Sequence, residues 1–178
     1  YPPDDGIYAH VAERVLNGER LNSDIHDIHF GYITLINAAA LHFFGFDLVS
    51  LRYPLVIIGL LQALLMFILF SQRGAMVAVT ASVSLSSLSI VQFLNPSANW
   101  YALFLTVCLI SVAALWRQEN SLRLITLGLL AGLVLFVRQL SGVLVIMGLL
   151  TYLICEHEQA TTGRQRGLAR LCILIMLA

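Results

Sequence analysis

The sequence predicts an all-α fold, a multi-pass transmembrane helical bundle, and two features of its composition support this prediction. Hydrophobic residues make up 59% of the 178 residues and charged residues only 11%, whereas a soluble domain carries about 25% charged residues. The apolar residues also fall into long runs. A helix needs about 20 apolar residues to cross the hydrocarbon of a bilayer, where every backbone polar group must be satisfied within the protein.

Residues 51–178 hold these runs and are predicted to be the transmembrane region. We predict five spans and the start of a sixth, over residues 53–70, 75–94, 100–116, 122–137, 140–154 and 169–178. The run from 122 to 154 is too long for one crossing, and Arg138, Gln139 and Gly142 interrupt it near its middle. Because the chain lacks an initial Met and stops within an apolar run, we expect a fragment of a longer membrane protein.

The arginines predict how these spans are oriented. The chain has no lysine, and the short connections on one side of the predicted spans hold only Arg138. The connections on the other side hold Arg73, Arg117, Arg123, Arg164, Arg166 and Arg170. Cytoplasmic loops carry the excess of basic residues, so residues 1–50 are predicted to be extracytoplasmic. We expect a multi-pass protein of the plasma (inner) membrane, and its zero net charge indicates no nucleic-acid partner.

Residues 1–50 are predicted to form a first loop with two amphipathic, interfacial helices. In residues 6–17, Ile7, Val11 and Val15 repeat at helical spacing, and Gly18 is a suitable stop. Residues 30–44 are apolar but too short to span comfortably, so a helix lying at the membrane interface is predicted.

Asp4 and Asp5 head this first loop and have two interpretations. An aspartate just before a helix caps free amides and complements the helix dipole. Alternatively, a carboxylate at the boundary of water and lipid can act as a general base or bind a cation.

A second group of polar residues runs from Asp24 to His29. Asp and His suit a divalent metal such as zinc, which makes His26, Asp27 and His29 candidate ligands. The spacing matches no strong metal motif, so the alternative is a polar loop folded back by local hydrogen bonds. Whether a divalent cation is a cofactor therefore stays open.

Arg138 is the third candidate, because a charged side chain between apolar spans is costly and by default marks a functional site. Its guanidinium group suits paired hydrogen bonds to a lipid phosphate. The alternative is a side chain that extends to the outer interface, with no role beyond solvation.

The first sixty residues resemble the first outer loop of the GT-C glycosyltransferases, which include protein O-mannosyltransferases and the lipid A aminoarabinose transferase. The matching run is "DDGIYAHVAERVLNGERLNSDIHDIHFGYITLINAAALHFFGFDLVSLRYPLVIIGLL". The later "GLLAGLVLFVRQ" is similar to the family's paired short spans with a basic residue. Features shared with the family pattern are Asp4, Asp5, Tyr8, Gly18, Asp24, Phe44, Gly45 and Arg52. The sequence departs from the pattern at Gly31, where many members have proline, and at His26 and His29, which match no family function.

The resemblance implies an enzyme that moves a sugar from a polyprenyl-phosphate donor to an acceptor hydroxyl on a glycan, lipid or protein. It implies Asp4 as the base or the residue that positions the acceptor, with Asp5 as its helper or a ligand and Asp24 as a supporting carboxylate. Arg138 is assigned to the donor phosphate, and the fragment alone is expected to be inactive. The alternative is a transporter or flippase of polyprenyl-linked lipids, although such proteins usually place ionisable residues deep within their spans, and residues 53–70, 75–94 and 100–116 contain none.

Overall fold

A computed structural model describes residues 3–25, 27, 31–91, 95–116, 118 and 120–162, and it confirms the all-α prediction. Within these residues the backbone is helical apart from turns and connections, with one isolated bridge between Leu21 and Ile25. The described helices are α1 (Pro3–Leu16), α2 (Tyr32–Phe44), a 3₁₀ helix (Leu48–Arg52), α3 (Tyr53–Ser71), α4 (Ala75–Val91), α5 (Ala98–Leu115), α6 (Ser121–Val137) and α7 (Gln139–Thr162).

Three segments of the described chain are long and apolar enough to cross a membrane. They are Leu48–Ser71, Ala98–Leu115 and Gln139–Glu156. The helices at the predicted spans 75–94 and 122–137 are α4 and α6, described over 17 residues each. Residues 92–94 and the predicted span start at 169–178 lie outside the described residues.

Helix α7 is longer than the predicted span 140–154, since it continues to Thr162. Glu156, Gln159 and Ala160 are good helix formers, and no glycine or proline occurs before Gly163. The polar composition of this stretch therefore marks the end of the apolar run and not the end of the helix.

The membrane-type helices form a bundle in which α3 packs on α4 and α5, and α6 packs on α5 and α7. Two apolar clusters fill it. One lies where α5 begins and α6 ends, and we call this the upper end of the bundle; it contains Ile33, Leu55, Ala98, Tyr101, Ala102, Val134 and Val137. The other lies where α5 ends, at the lower end, and contains Leu109, Ala113, Leu127, Ala131, Leu149 and Tyr152.

The long apolar run breaks at Arg138, as the sequence predicted. The residue is extended, with φ −151° and ψ 105°, so the chain turns back and α7 returns along α6. Arg138 N–H donates to Val134 O at 2.8 Å, and Gly142 N–H donates to Arg138 O at 2.9 Å. The two helices come so close that a Cβ on Gly142 would lie 2.2 Å from Leu135 Cα.

A buried arginine joins three helices at the lower end. Arg123 is 2% exposed, and its guanidinium group donates to both carboxylate oxygens of Glu156, each at 2.9 Å. Its Nη2 also donates to Tyr152 Oη at 3.2 Å and to Ala113 O at 3.1 Å. Ala113 lies in the last turn of α5, where carbonyls lack partners within the helix, so the cluster both neutralises the cation and caps α5.

Helices α1 and α2 pack against each other in the first segment. Their shared core contains Ala12, Ala38, Ala40, Leu41 and Leu51, with Tyr8, Ala9, Val15 and Leu16 packed against it. Ile7, one of the residues that repeat at helical spacing, lies outside this core and is 62% exposed. The small Ala12 allows α2 to approach closely, so the buried face is centred on Tyr8 and Ala12 instead.

We expect Gly142→Ala to destabilise the protein by about 1–3 kcal/mol, because an added methyl group forces α6 and α7 apart. Gly132→Ala is the matched control, since a Cβ there meets nothing within 4 Å and alanine favours helix. Reversible unfolding in detergent micelles, followed by circular dichroism, measures both variants. Equal stability of the two would contradict the close contact.

Candidate active site at the upper end

The first turn of α1 is bound to the start of α3 by an ion pair. Arg52 Nη2 donates to Asp5 Oδ2 at 2.9 Å, across 47 residues of sequence. The Asp5 side chain is only 1% exposed, whereas that of Arg52 is 33% exposed. The second oxygen of this carboxylate, Oδ1, is buried and has no hydrogen-bond partner.

Because the Asp5 carboxylate is buried, its negative charge needs Arg52 as a counter-charge. An ionised carboxylate taken out of water loses several kcal/mol of solvation unless it is paired and hydrogen-bonded. Arg52 supplies that partner, and its own side chain is partly exposed. The pair therefore fixes where α1 begins relative to the apolar bundle.

Asp4 lies in the first turn of α1, directly before Asp5. Its side chain is outside the described part of the structure. Helix N-termini favour negative charge because their free N–H groups carry partial positive charge. The backbone of Asp4 thus lies at the junction of the first segment and α3, where the Asp5–Arg52 pair is found.

The structure places Asp24 beyond the other end of α1, in the turn that follows Gly18. Its Oδ2 accepts a hydrogen bond from Arg20 N at 2.9 Å, and its Oδ1 accepts one from Ser23 Oγ at 3.3 Å. Leu16 lies eleven residues after Asp5, which is about 16 Å along the helix. Asp24 and Asp5 are therefore held at opposite ends of α1, and the contacts of Asp24 are those of a locally folded polar loop.

Of the three candidate metal ligands, only Asp27 is among the described residues; His26 and His29 lie outside them. Asp27 accepts a short hydrogen bond from Thr34 Oγ1, near the start of α2. Within the described part of the chain, no three His, Cys, Asp or Glu side chains converge as metal ligands. This hydrogen bond joins Asp27 to the first turn of α2.

Arg138 lies at the upper end, on the same end of the bundle as the first segment. Its neighbour Val137 belongs to the apolar cluster that also contains Ile33 of α2 and Leu55 of α3. The rings of Tyr32 and Phe136 are also close there, with centroids 5.8 Å apart. No described residue forms an ion pair with the Arg138 side chain, which is partly exposed.

Sequence reasoning missed two contacts at this end. Arg52 is one of the residues shared with the family pattern, but the sequence does not predict it as the partner of Asp5. Arg52 lies at the N-terminus of α3, where a positive charge is unfavourable. Its position therefore indicated that an acidic side chain lies nearby. The second is Asn37, which is fully buried and donates from Nδ2 to Pro96 O at 3.4 Å, attaching α2 to the connection before α5.

In comparisons with known proteins, no family model, no curated protein and no solved structure matches this chain. The resemblance of its first sixty residues to the GT-C glycosyltransferases therefore rests on the sequence features alone.

We expect Arg52→Gln to destabilise the protein by about 3 kcal/mol, because it leaves the Asp5 carboxylate buried without a counter-charge. The double variant Asp5→Asn/Arg52→Gln should regain most of this loss, since no buried charge remains. Arg14→Gln is the control, because it breaks the exposed pair with Glu19 and should change stability little. Urea unfolding in micelles gives all three values. A double variant less stable than Arg52→Gln would contradict the pairing.

The exposed ion pair between Arg14 and Glu19 predicts that the Glu19 carboxyl has a pKa below its ordinary value. The hydrogen bond from Arg14 lowers the pKa of Glu19, so the ion pair contributes above the ordinary pKa and is lost as pH falls through the lowered one. In a ¹³C NMR titration of the carboxyl carbons, Arg14→Gln should return the pKa of Glu19 to its usual range of about 4.3. Arg20→Gln should leave it lowered. A Glu19 pKa that does not respond to Arg14→Gln would contradict this prediction.

Proposed function

We propose that the protein is a membrane glycosyltransferase that moves a sugar from a polyprenyl-phosphate donor to an acceptor hydroxyl on the extracytoplasmic face. The observation that carries the proposal is the Asp5–Arg52 pair. It holds the acidic head of the first segment against the start of an apolar helix of membrane-spanning length. A lipid-phosphate headgroup and a water-borne acceptor can meet only at such a boundary.

The reaction needs one group to take a proton and another to stabilise phosphate. The acceptor oxygen attacks the anomeric carbon, the bond from that carbon to the phosphate oxygen breaks, and the polyprenyl phosphate leaves with the electron pair. The hydroxyl proton passes to a carboxylate, which we assign to Asp4. General base catalysis of this kind contributes about 10²–10⁴-fold to the rate.

Asp5 is a positioning residue in this proposal. Its carboxylate is buried and already accepts a hydrogen bond from Arg52, so it orients the first turn of α1 and with it Asp4. Asp24 supports the same segment from the other end of α1, through its hydrogen bonds to the turn at residues 20–24.

We assign Arg138 to the donor phosphate. Its location at the upper end brings a guanidinium group to the end of the bundle where the first segment packs, and planar paired donors suit phosphate oxygens. Positive charge near the leaving group is worth more where water is excluded. A divalent cation bound through Asp27 remains an additional part of this proposal.

A lipid flippase is the alternative from a different class, since it would use the same donor without covalent chemistry. Such proteins place ionisable residues along a path through their spans, whereas the described ion pairs of the bundle lie at its two ends, Asp5 with Arg52 and Arg123 with Glu156. Vesicles loaded with a polyprenyl-phosphate sugar labelled in the sugar separate the two. Label moved onto an acceptor indicates transfer, and label moved intact across the bilayer indicates flipping.

We expect Asp4→Asn in the full-length protein, inserted in vesicles, to lower the transfer rate about 10²–10⁴-fold with little change in stability. Glu13→Gln is the matched control, an exposed carboxylate on the same helix, and should keep the parent rate. Transfer by Asp4→Asn at an undiminished rate would contradict the assignment of the base.

A further inference from the structure

An apolar groove runs along α3 between α4 and α5. Its volume is about 290 Å³, near the lower limit of about 300 Å³ for pockets that hold small molecules. Its lining comes from all three helices, and the residues used below are Val56, Gly59, Leu60, Gln62, Ala63 and Trp100.

Gln62 is a polar side chain in this apolar lining. It is 3% exposed, and its Nε2 is buried without a hydrogen-bond partner. A buried amide that lacks a partner costs roughly 1–3 kcal/mol in proteins, and more where no water is available, as in hydrocarbon. The donor therefore points to a ligand that brings an acceptor into the groove.

The depth of Gln62 limits what that ligand can be. It lies nine residues from Tyr53 and nine from Ser71, the two ends of α3, which is about 14 Å of helix on each side. The hydrocarbon core is about 30 Å thick, so the amide lies near mid-membrane. Lipids carry their oxygen atoms in the headgroup and ester region, whereas a transmembrane helix can present a hydroxyl or amide oxygen at any depth.

Small residues beside Gln62 allow a helix to come close. Gly59 and Ala63 are four residues apart on α3, the spacing at which small side chains let helix backbones approach in lipid. A Cβ on Gly59 would meet nothing within 4 Å. Helix α4 forms one side of the groove and is held to α3 there, because Ser82 Oγ donates to Ala63 O at 3.0 Å.

We propose that this groove is a docking surface for a transmembrane helix that lies outside residues 1–178 and presents a hydroxyl or amide oxygen at mid-membrane. The ridge of that helix fills the groove over Gly59, its oxygen accepts from Gln62 Nε2, and the exposed Val56 and Leu60 form the apolar rim. This interaction requires only insertion in the membrane and is independent of the proposed glycosyl transfer.

The test uses a synthetic transmembrane helix of leucine and alanine with a single central Ser. A dansyl group is attached at the end of this peptide that would lie beside the upper end of the bundle. The matched control peptide has Ala in place of that Ser. The protein carries Trp116→Phe, which leaves Trp100 in the groove wall as its one tryptophan, and is inserted in dioleoylphosphatidylcholine vesicles. Energy transfer from Trp100 to dansyl measures binding as peptide is added.

We expect the Ser peptide to bind roughly three- to twenty-fold more tightly than the Ala peptide, the range for a hydrogen bond between helices in membranes. Gln62→Leu should remove this preference, and Gly59→Phe should weaken the binding of both peptides. Gly128→Phe is the control, because a Cβ there also meets nothing within 4 Å, but the residue lies on α6, outside the groove. Circular dichroism verifies that each variant keeps its helices.

Two results would overturn the proposal. In the first, the peptides bind equally to the parent, or Gln62→Leu keeps the preference for Ser. In the second, neither peptide competes, while phosphatidylcholine with brominated chains quenches Trp100 in the parent and much less in Gly59→Phe, which would make the groove a site for a lipid chain.

Discussion

The ion pair between Asp5 and Arg52 is the contact on which the upper end of the protein depends. It joins the polar first segment to the apolar bundle, with the carboxylate only 1% exposed. Apolar contacts around Ala12 and Leu51 hold α1 and α2 together, but they are non-directional and leave the first turn of α1 free to shift. A buried charge has one low-energy position, beside its counter-ion, and this directionality fixes where α1 begins.

The lower end of the bundle also has an ion pair with one buried member, but there the buried member is the cation and not the acid. There the cation is the buried partner, since the Arg123 side chain is 3% exposed and that of Glu156 is 27% exposed. In both pairs one member is closed to solvent and the other reaches it, which lowers the desolvation cost compared with burying two charges. The charged contacts of the described bundle residues thus lie at the two ends, and the middle of the bundle holds apolar contacts, the hydrogen bond from Ser82 to Ala63 O, and the buried Gln62.

The features that could be predicted from the sequence are those set by local composition. Apolar runs of the length needed to cross hydrocarbon predicted the helices, and the polar interruption at Arg138 predicted the break between α6 and α7. Contacts between distant residues could not be predicted in this way. A single sequence does not show which arginine pairs with Asp5, and the spacing from Ile7 to Val15 does not show that α2 packs over Ala12 and leaves Ile7 exposed. Gly142 illustrates the same limit, because its lack of a side chain matters only once Leu135 is known to lie against it.

The burial of Asp5 also bears on which carboxylate could act as the base in the proposed reaction. A base must come within hydrogen-bonding distance of the proton that it removes. Asp5 is enclosed and directs one oxygen to Arg52, so an acceptor hydroxyl has no path to it. Asp24 has both oxygens within hydrogen-bonding distance of its own turn, beyond the other end of α1. Asp4 is the remaining acid of the three, and the pair next to it fixes the position of its backbone in the helix. In the proposed transferase, Asp5 would therefore set the geometry of the first turn and Asp4 would serve as the base.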